Sequence, residues 1–598
     1  MNFPTTSCVL LAVFSAEFLT TQAEFYSKFL DFIENIKNLE KFDSILFLKS
    51  SEETYFDEKL IEEVGIPVIL ATENSSFYLK QNFNENLLTI IQFDEESAAA
   101  EELLQRLSEI LQHLRFCKTI FMLKSFLRND VVLKRLFNFC WQNRMINVVA
   151  VFQNFGTSSI FYSYSNFGMF KIEEFTWSKE DSVDVFPDRM RDLHRITLPI
   201  LFGGSEPGVI LSGNVNSSKI AGGLIWHFFH AFAKRHNAKL NRSSVSTTLS
   251  SNQMHRLVFN ETIEIAGASM IVVQYPIEWY SYPYQMYDVS VILPLEPSIP
   301  IYKVFAYVFH GEAFGLLLVV LISLSISLAT AAKFTGSSRK LRDFLFNIDP
   351  FRGMLGQSIT EEPTARLSLK ILYSLIFMLG IIMVTSYDAF LQSFMTEPPK
   401  EKFIETFEDL QHSGLKILAY KADLDTLMYK IRPDFMKIYS NLFQVETDFE
   451  ILTKTRDSLN TKYAFTSSTA KWNVYDNQQK FFGQQLFRWS ETMLLLEKKL
   501  SSISMNENSI YMKTLNNHIL ATQASGLLDF WTKRGFFELM QVGKIEKLAI
   551  KSKSTSEPLK VGDLRWIFTA LGFALVFDSF CFIGEIFIFK WKRSTVVI

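Results

Sequence analysis

The sequence predicts a multidomain membrane protein whose α/β units are interrupted by apolar helices. Three observations predict it. The chain has 598 residues, more than one hydrophobic core sustains. Short apolar runs alternate with helix-periodic ones over much of its length. Three stretches are long and apolar enough to cross a bilayer. Composition agrees: 48% of residues are hydrophobic, 58 are Phe, and mean hydropathy is +0.11. Such aromatic content excludes long disorder. With 60 basic against 63 acidic residues, no field draws the chain to nucleic acid. Four cysteines exclude a disulfide scaffold and a Cys-rich zinc module.

Residues 1–22 read as a signal peptide. Cys8–Ala16 is a short apolar run before polar TTQAE, although no basic residue precedes it. Residues 23–190 form the first α/β region. Strand-like runs fall at Ser44–Leu48, Pro67–Ala71, Leu87–Phe93, Lys118–Leu123 and Ile146–Phe152. Helical periodicity covers Glu95–Arg115 and a stretch around Val131–Asn143. This alternation predicts a parallel sheet. No Gly-rich loop opens any of its helices, so no dinucleotide site is expected. Cys117 and Cys140 lie at ends of such elements; a disulfide and two buried thiols are both compatible with their spacing. A second α/β region spans residues 191–300 and contains the amphipathic stretch Ala221–Leu240. A third spans 398–560.

The first span, 313–332, holds 20 uncharged residues bracketed by Glu312 and Lys333. At 1.5 Å per residue it reaches about 30 Å, one bilayer core. The second, 371–396, is uncharged from Ile371 through Tyr387. The third, 566–589, carries Asp578 and Glu585 on one helical face. Basic clusters follow the first span (Lys333, Arg339, Lys340, Arg342) and the third (Lys590, Lys592, Arg593), which places both on the cytoplasmic side. The glycosylation acceptors Asn74, Asn216, Asn241 and Asn260 all precede the first span, which places the N-terminus outside. Between the first two spans, the segment around 344–358 is too short to cross. It is a cytoplasmic loop or a re-entrant segment lining a cavity.

His227 and His230 form H-x-x-H on a helix, but no Cys or acid at matching spacing completes a zinc set, so no metal is expected. No HExxH, phosphate loop or GxSxG elbow is present, so neither enzyme chemistry nor a cofactor is expected.

Residues 386–396, SYDAFLQSFMT, resemble the gate helix of the ionotropic glutamate receptor superfamily, Ser-Tyr-Thr-Ala-Asn-Leu-Ala-Ala-Phe-Leu-Thr, at six of eleven positions. Weaker likenesses occur in the family's order. Ser281-Tyr282-Pro283-Tyr284 resembles its Ser-Lys-Pro-Phe. Phe351–Ser358 resembles the end of its pore loop, with Gln357 near the selectivity position, and Pro363 and Arg366 match the stretch after it. Lys462–Phe465 resembles Lys-Tyr-Ala-Tyr, and Ser525–Asp529 resembles the late Gly-Val-Leu-Asp helix. The likeness covers Leu193 to the C-terminus and is closest to the divergent insect chemosensory ionotropic receptors.

The resemblance implies an extracellular α/β amino-terminal region, reduced in size, and a bilobed α/β periplasmic-binding-like ligand domain. That domain is split by a transmembrane α-helical channel domain, residues 301–397, with the third span and a cytoplasmic tail at 561–598. It implies a ligand-gated cation channel subunit that tunes a heterotetramer with co-receptor subunits and detects a small-molecule tastant, odorant or contact pheromone. The expected location is the plasma membrane, in the family's case a sensory dendrite. The implied gate residues are Ser386, Tyr387, Asp388, Ala389, Gln392 and Thr396; Asp388, Gln392 and Thr396 share one helical face.

The family's amino-acid clamp is largely missing. Its ligand-gripping Arg falls on Gln274 and its ligand-contacting Thr on Ser269. Its Gly-Ser-Thr turn is replaced by Tyr420-Lys421-Ala422-Asp423. The acid that pairs the ligand ammonium falls on Ser467, before Ser468. Without an Arg fork for a carboxylate, glutamate is not the expected ligand. A non-conducting ligand-binding receptor, a transporter and an amino-acid-gated channel are the alternatives; a transporter would be expected to show more spans.

Overall fold

The computed structural model describes the chain apart from residues 1–23, 51–63, 83, 98, 180–183, 204–205, 214–218, 247–248, 250, 272–276, 301–302, 305–306, 309–310, 335–347, 360–366, 427–430, 546–560 and 596–598. The signal peptide, Asn216, Gln274, Pro363, Arg366 and the start of the 344–358 segment lie outside the described residues.

The first α/β unit is a seven-stranded sheet. Its strands are β1 (Ser44–Lys49), β2 (Val68–Thr72), β3 (Leu87–Phe93), β4 (Lys118–Leu123), β5 (Val148–Val151), β6 (Ile160–Ser165) and β7 (Lys171–Thr176), in the order β2-β1-β3-β4-β5-β6-β7. β1 to β5 are parallel, and β6 and β7 are an antiparallel edge. The seven residues of β3, LLTIIQF, are all buried, as befits a parallel strand covered on both faces. One face packs on the helices Ala100–Ile110 and Asp130–Gln142. The other packs on a helix at 24–39 through Phe25, Phe29, Phe32 and Ile36. Asn129 caps the second of these helices, its side chain accepting from the Val131 and Val132 N–H groups, a normal N-cap arrangement.

Of the two arrangements open to Cys117 and Cys140, the structure shows the buried thiols. Both are buried free thiols: Cys117 donates to the Glu85 carbonyl, and Cys140 points into the core of the sheet's helical face.

This first unit is fastened to the α/β lobes C-terminal to it. Ile146 and Phe167 join the next hydrophobic cluster. Arg144 lies 3.2 Å from the Glu264 carboxylate and donates to the Glu507 carbonyl at 2.8 Å.

The next units interleave. A first lobe contains β8 (Ile200–Phe202), β9 (Ile210–Ser212), β10 (Lys219–Gly222) and β11 (Ile265–Gly267). The helices Leu224–Arg235, Met512–Ala524 and Leu527–Gln541 share its core. A six-stranded sheet then runs β12-β17-β13-β16-β14-β15. Its members are β12 (Met270–Ile271), β13 (Gln285–Pro294), β14 (Ile417–Tyr420), β15 (Phe443–Glu446), β16 (Ala464–Ser468) and β17 (Phe487–Ser502). Strands from before and after the first two apolar helices therefore lie in one sheet. β13 and β17 are long and antiparallel, with register shifts near Tyr287 to Ile292. One end of the pair borders the first lobe. The other enters a second lobe built on Val291, Leu293, Ile417, Phe443 and Met493.

Among the described residues three helices are long and apolar enough to cross a membrane: Gly311–Phe334, Leu367–Thr396 and Arg565–Thr595. A short helix, Ile348–Met354, docks on the second of them. Gly356, at φ +69°, ends it. The Gly356 N–H donates to the Gly353 carbonyl and the Gln357 N–H to the Arg352 carbonyl, a Schellman ending.

Two segments connect the sheet to the spans, and they pair with each other. The Ile299 N–H donates to the Pro399 carbonyl at 2.8 Å, and the Glu401 N–H to the Pro297 carbonyl at 3.1 Å. Ser298 and Lys400 form an antiparallel bridge.

Candidate ligand cleft and gate helix

The two lobes meet along β13 and β17. They also touch where Val474 of the Thr469–Phe482 helix packs on Ile210, Phe536 and Leu539 of the first lobe. The sequence-chosen ligand residues lie near these strands, and most are engaged with their own neighbours. Ser269 Oγ is 2.6 Å from Ser501 Oγ. Both hydrogen-bond the Tyr284 hydroxyl, whose pKa burial raises above the usual phenol value. Ser467 is buried on β16, opposite Ser290 of β13, and its hydroxyl donates to the Ser468 carbonyl at 3.3 Å. Ser468 caps the Thr469–Phe482 helix by accepting the Lys471 N–H. Tyr420 is half-buried at the end of β14, edge-on to Phe449 at 5.3 Å. The structure thus places Ser269 with the first lobe, and Ser467, Ser468 and Tyr420 with the second.

Sequence reading missed a partly buried charge cluster in the second lobe. Lys471 Nζ lies 3.3 Å from Asp457 Oδ2, the Tyr475 hydroxyl donates to Asp457, and Arg456 Nε stands 3.5 Å from Asp457 Oδ1. Burial pushes Asp457 up, but Lys471 and Arg456 outweigh it and hold the carboxyl below the usual range. Burial lowers Lys471, against the pull of Asp457. Asp423 is exposed at its surface, yet desolvation by the surrounding protein raises its pKa. The field at Lys471 also includes Glu206 of the first lobe, which is paired with Lys544. The charges of Lys471, Arg456 and Asp457 thus offset one another locally. No sequence signal marked them, because Asp457 and Lys471 are separated by a whole strand.

Of the H-x-x-H pair, His227 is engaged within the first lobe and His230 is exposed. His227 Nε2 bonds the buried Glu538 at 2.7 Å. Glu538 also accepts the Gly223 N–H and the Arg534 guanidinium. Among the described residues no group of three metal-ligating side chains occurs.

Ser386, Tyr387, Asp388, Ala389, Gln392 and Thr396 all lie on the second apolar helix. Asp388, Ala389, Gln392 and Thr396 are exposed, and Ser386 and Tyr387 are half-buried. The Asp388–Gln392–Thr396 face is therefore left uncovered by the rest of the chain. Gln357 is exposed just beyond the short docked helix. Asn74, Asn241 and Asn260 are exposed.

These features define a multidomain protein of mixed α/β units with three helices fit to cross a membrane. A search of protein-family models and of curated proteins finds no match to this chain.

Proposed function

We propose that the chain is a subunit of a ligand-gated, non-selective cation channel used in chemosensory detection. It works in a heterotetramer with co-receptor subunits at the plasma membrane, with its N-terminus outside and its C-terminus inside. The observation that carries this reading is the shared sheet: strands on both sides of the first two apolar helices hydrogen-bond to one another, and so do the segments entering and leaving those helices. A relative movement of the lobes on ligand closure is then delivered to both helices. The gate-like SYDAFLQSFMT at the end of the second helix supports the same reading, and a carboxylate there suits cation passage.

The ligand is a small molecule less charged than glutamate. The internally bonded Ser269, the buried Ser467 and the compensated Lys471–Asp457 pair offer no free fork for an amino-acid carboxylate. Co-expression with candidate co-receptor subunits, scored for ligand-evoked current across a tastant and odorant panel, tests the proposal. Ligand-evoked cation current with silence to glutamate is expected. Ligand binding without current in every combination would contradict it.

A further inference from the structure

One side chain touches both segments that join the lobes to the membrane helices. Arg488 stands in the second residue of β17, paired in register with Leu293 of β13. Its Nε and Nη2 donate to Glu296 Oε1 at 3.0 and 2.6 Å. The same Nη2 donates to the Ile404 carbonyl at 2.7 Å, and the guanidinium lies 4.3 Å from the Phe403 ring centroid. Glu296 is on the segment leading into the first span, and Phe403 and Ile404 are on the segment leaving the second. Arg488 and Glu296 are 15% and 3% exposed at their side chains, so the pair is shielded from screening. Adjacent backbone contacts reinforce it: Leu295 N–H donates to the Leu486 carbonyl, and the Thr492 hydroxyl donates to the Glu405 carbonyl.

We propose that Arg488 is a positioning residue that couples the lobes to the membrane helices. It fixes the start of β17 to both connecting segments at once, so that movement of the second lobe reaches the first and second spans together. A planar guanidinium can satisfy a carboxylate, a carbonyl and an aromatic face simultaneously; a lysine ammonium, a point charge on a flexible stem, cannot hold all three. The functional half of the proposal rests on the channel reading above. The mechanical half does not.

The test uses the full chain in lipid nanodiscs and compares Arg488→Lys and Arg488→Met with the unsubstituted protein. Amide hydrogen exchange is read at 295–299 and 400–406, and at the central residues of β13 and β16 as a control. Exchange in both connecting segments is expected to rise by about tenfold or more in each variant, with the control strands unchanged. The same variants co-expressed with partner subunits are expected to bind ligand with unchanged affinity and to pass at most about a tenth of the unsubstituted ligand-evoked current. Unchanged exchange in either segment overturns the proposal, as does an equal rise in the control strands, which would make Arg488 a general packing residue. Loosened segments with full current overturn the coupling role. If the unsubstituted chain itself never conducts, the channel reading fails while the exchange result still decides the clamp.

Discussion

Replacing Gly380 with Ala tests how the short Ile348–Met354 helix is held. A Cβ at Gly380 would lie 1.9 Å from the Gly353 carbonyl oxygen and 3.0 Å from its carbon. Real Cβ contacts essentially never fall under 3.0 Å, so the backbones must part by about 1.1 Å, the difference between 3.0 and 1.9. Both sides are backbone, so no rotamer change relieves the clash. Overpacking of this kind costs about 1–3 kcal/mol, and this case belongs at the upper end. Gly353→Ala meets the Ile376 Cγ2 at 2.2 Å, a side-chain methyl that can turn away, so about 1 kcal/mol is expected. Gly572→Ala, in the third span with nothing within 4 Å, should be neutral or stabilising by up to about 1 kcal/mol. Apparent thermal midpoints of the purified full chain, taken at one scan rate, should rank Gly572→Ala above Gly353→Ala above Gly380→Ala. The last should fall by about 5 °C. If Gly380→Ala melts with Gly572→Ala, the close backbone approach is wrong.

Lys471→Met should destabilise the second lobe by about 1–3 kcal/mol, since it removes one of the two cations beside a half-buried carboxylate and leaves Arg456 and Tyr475 to hold it. Asp457 is held below its ordinary pKa, so its stabilisation is present above the unfolded value and lost as pH falls through the folded one. Without Lys471 that loss should begin at higher pH, and an acid-unfolding curve superimposable on the unsubstituted protein's would refute it. Burial pushes the Cys117 thiol up to about 12 and the Cys140 thiol higher still. Neither should alkylate below about pH 10 until the chain unfolds, and an intact mass 2 Da lower, specific to this pair, would contradict the free thiols. Asn74, Asn241 and Asn260 should each lose a glycan mobility shift on change to Gln in cells that glycosylate secreted domains; shifts absent at all three would reverse the proposed topology.

The first sheet was legible because parallel strands buried on both faces leave continuous apolar runs: the runs at Leu87–Phe93 and Lys118–Leu123 are β3 and β4 themselves. The spans were legible from length alone. The Glu95–Arg115 helix was overdrawn. It occupies Ala100–Ile110, because the Asp94 and Ser97 side chains bond the Glu96 and Ala99 N–H groups and hold a turn ahead of it. His113, at φ 67°, breaks the pattern after it. β7 escaped notice, since a half-exposed edge strand such as KIEEFT carries little apolar signal, and β6, IFYSYS, is mostly buried but its serines interrupt the apolar run. The candidate cleft was the least legible. Ser269 and Ser467 were reached by alignment to a resembled motif. Arg488 and Glu296 meet only through strand pairing across the membrane segments, and Asp457 and Lys471 only because the helices on either side of β16 bring them together; no local spacing encodes either.

The most direct test of the account is single-channel conductance of the co-expressed receptor carrying Asp388→Asn. Asp388 is exposed on the uncovered face of the second apolar helix, with Gln392 and Thr396 following it toward the helix's C-terminal end. If this helix lines a cation pathway, the carboxylate concentrates cations at the pathway's mouth. Its neutralisation should lower cation conductance, by about twofold where one or two subunits carry it, at normal surface expression and with the deficit narrowing at high salt. Conductance, reversal potential and gating all unchanged in a correctly trafficked receptor would contradict the account.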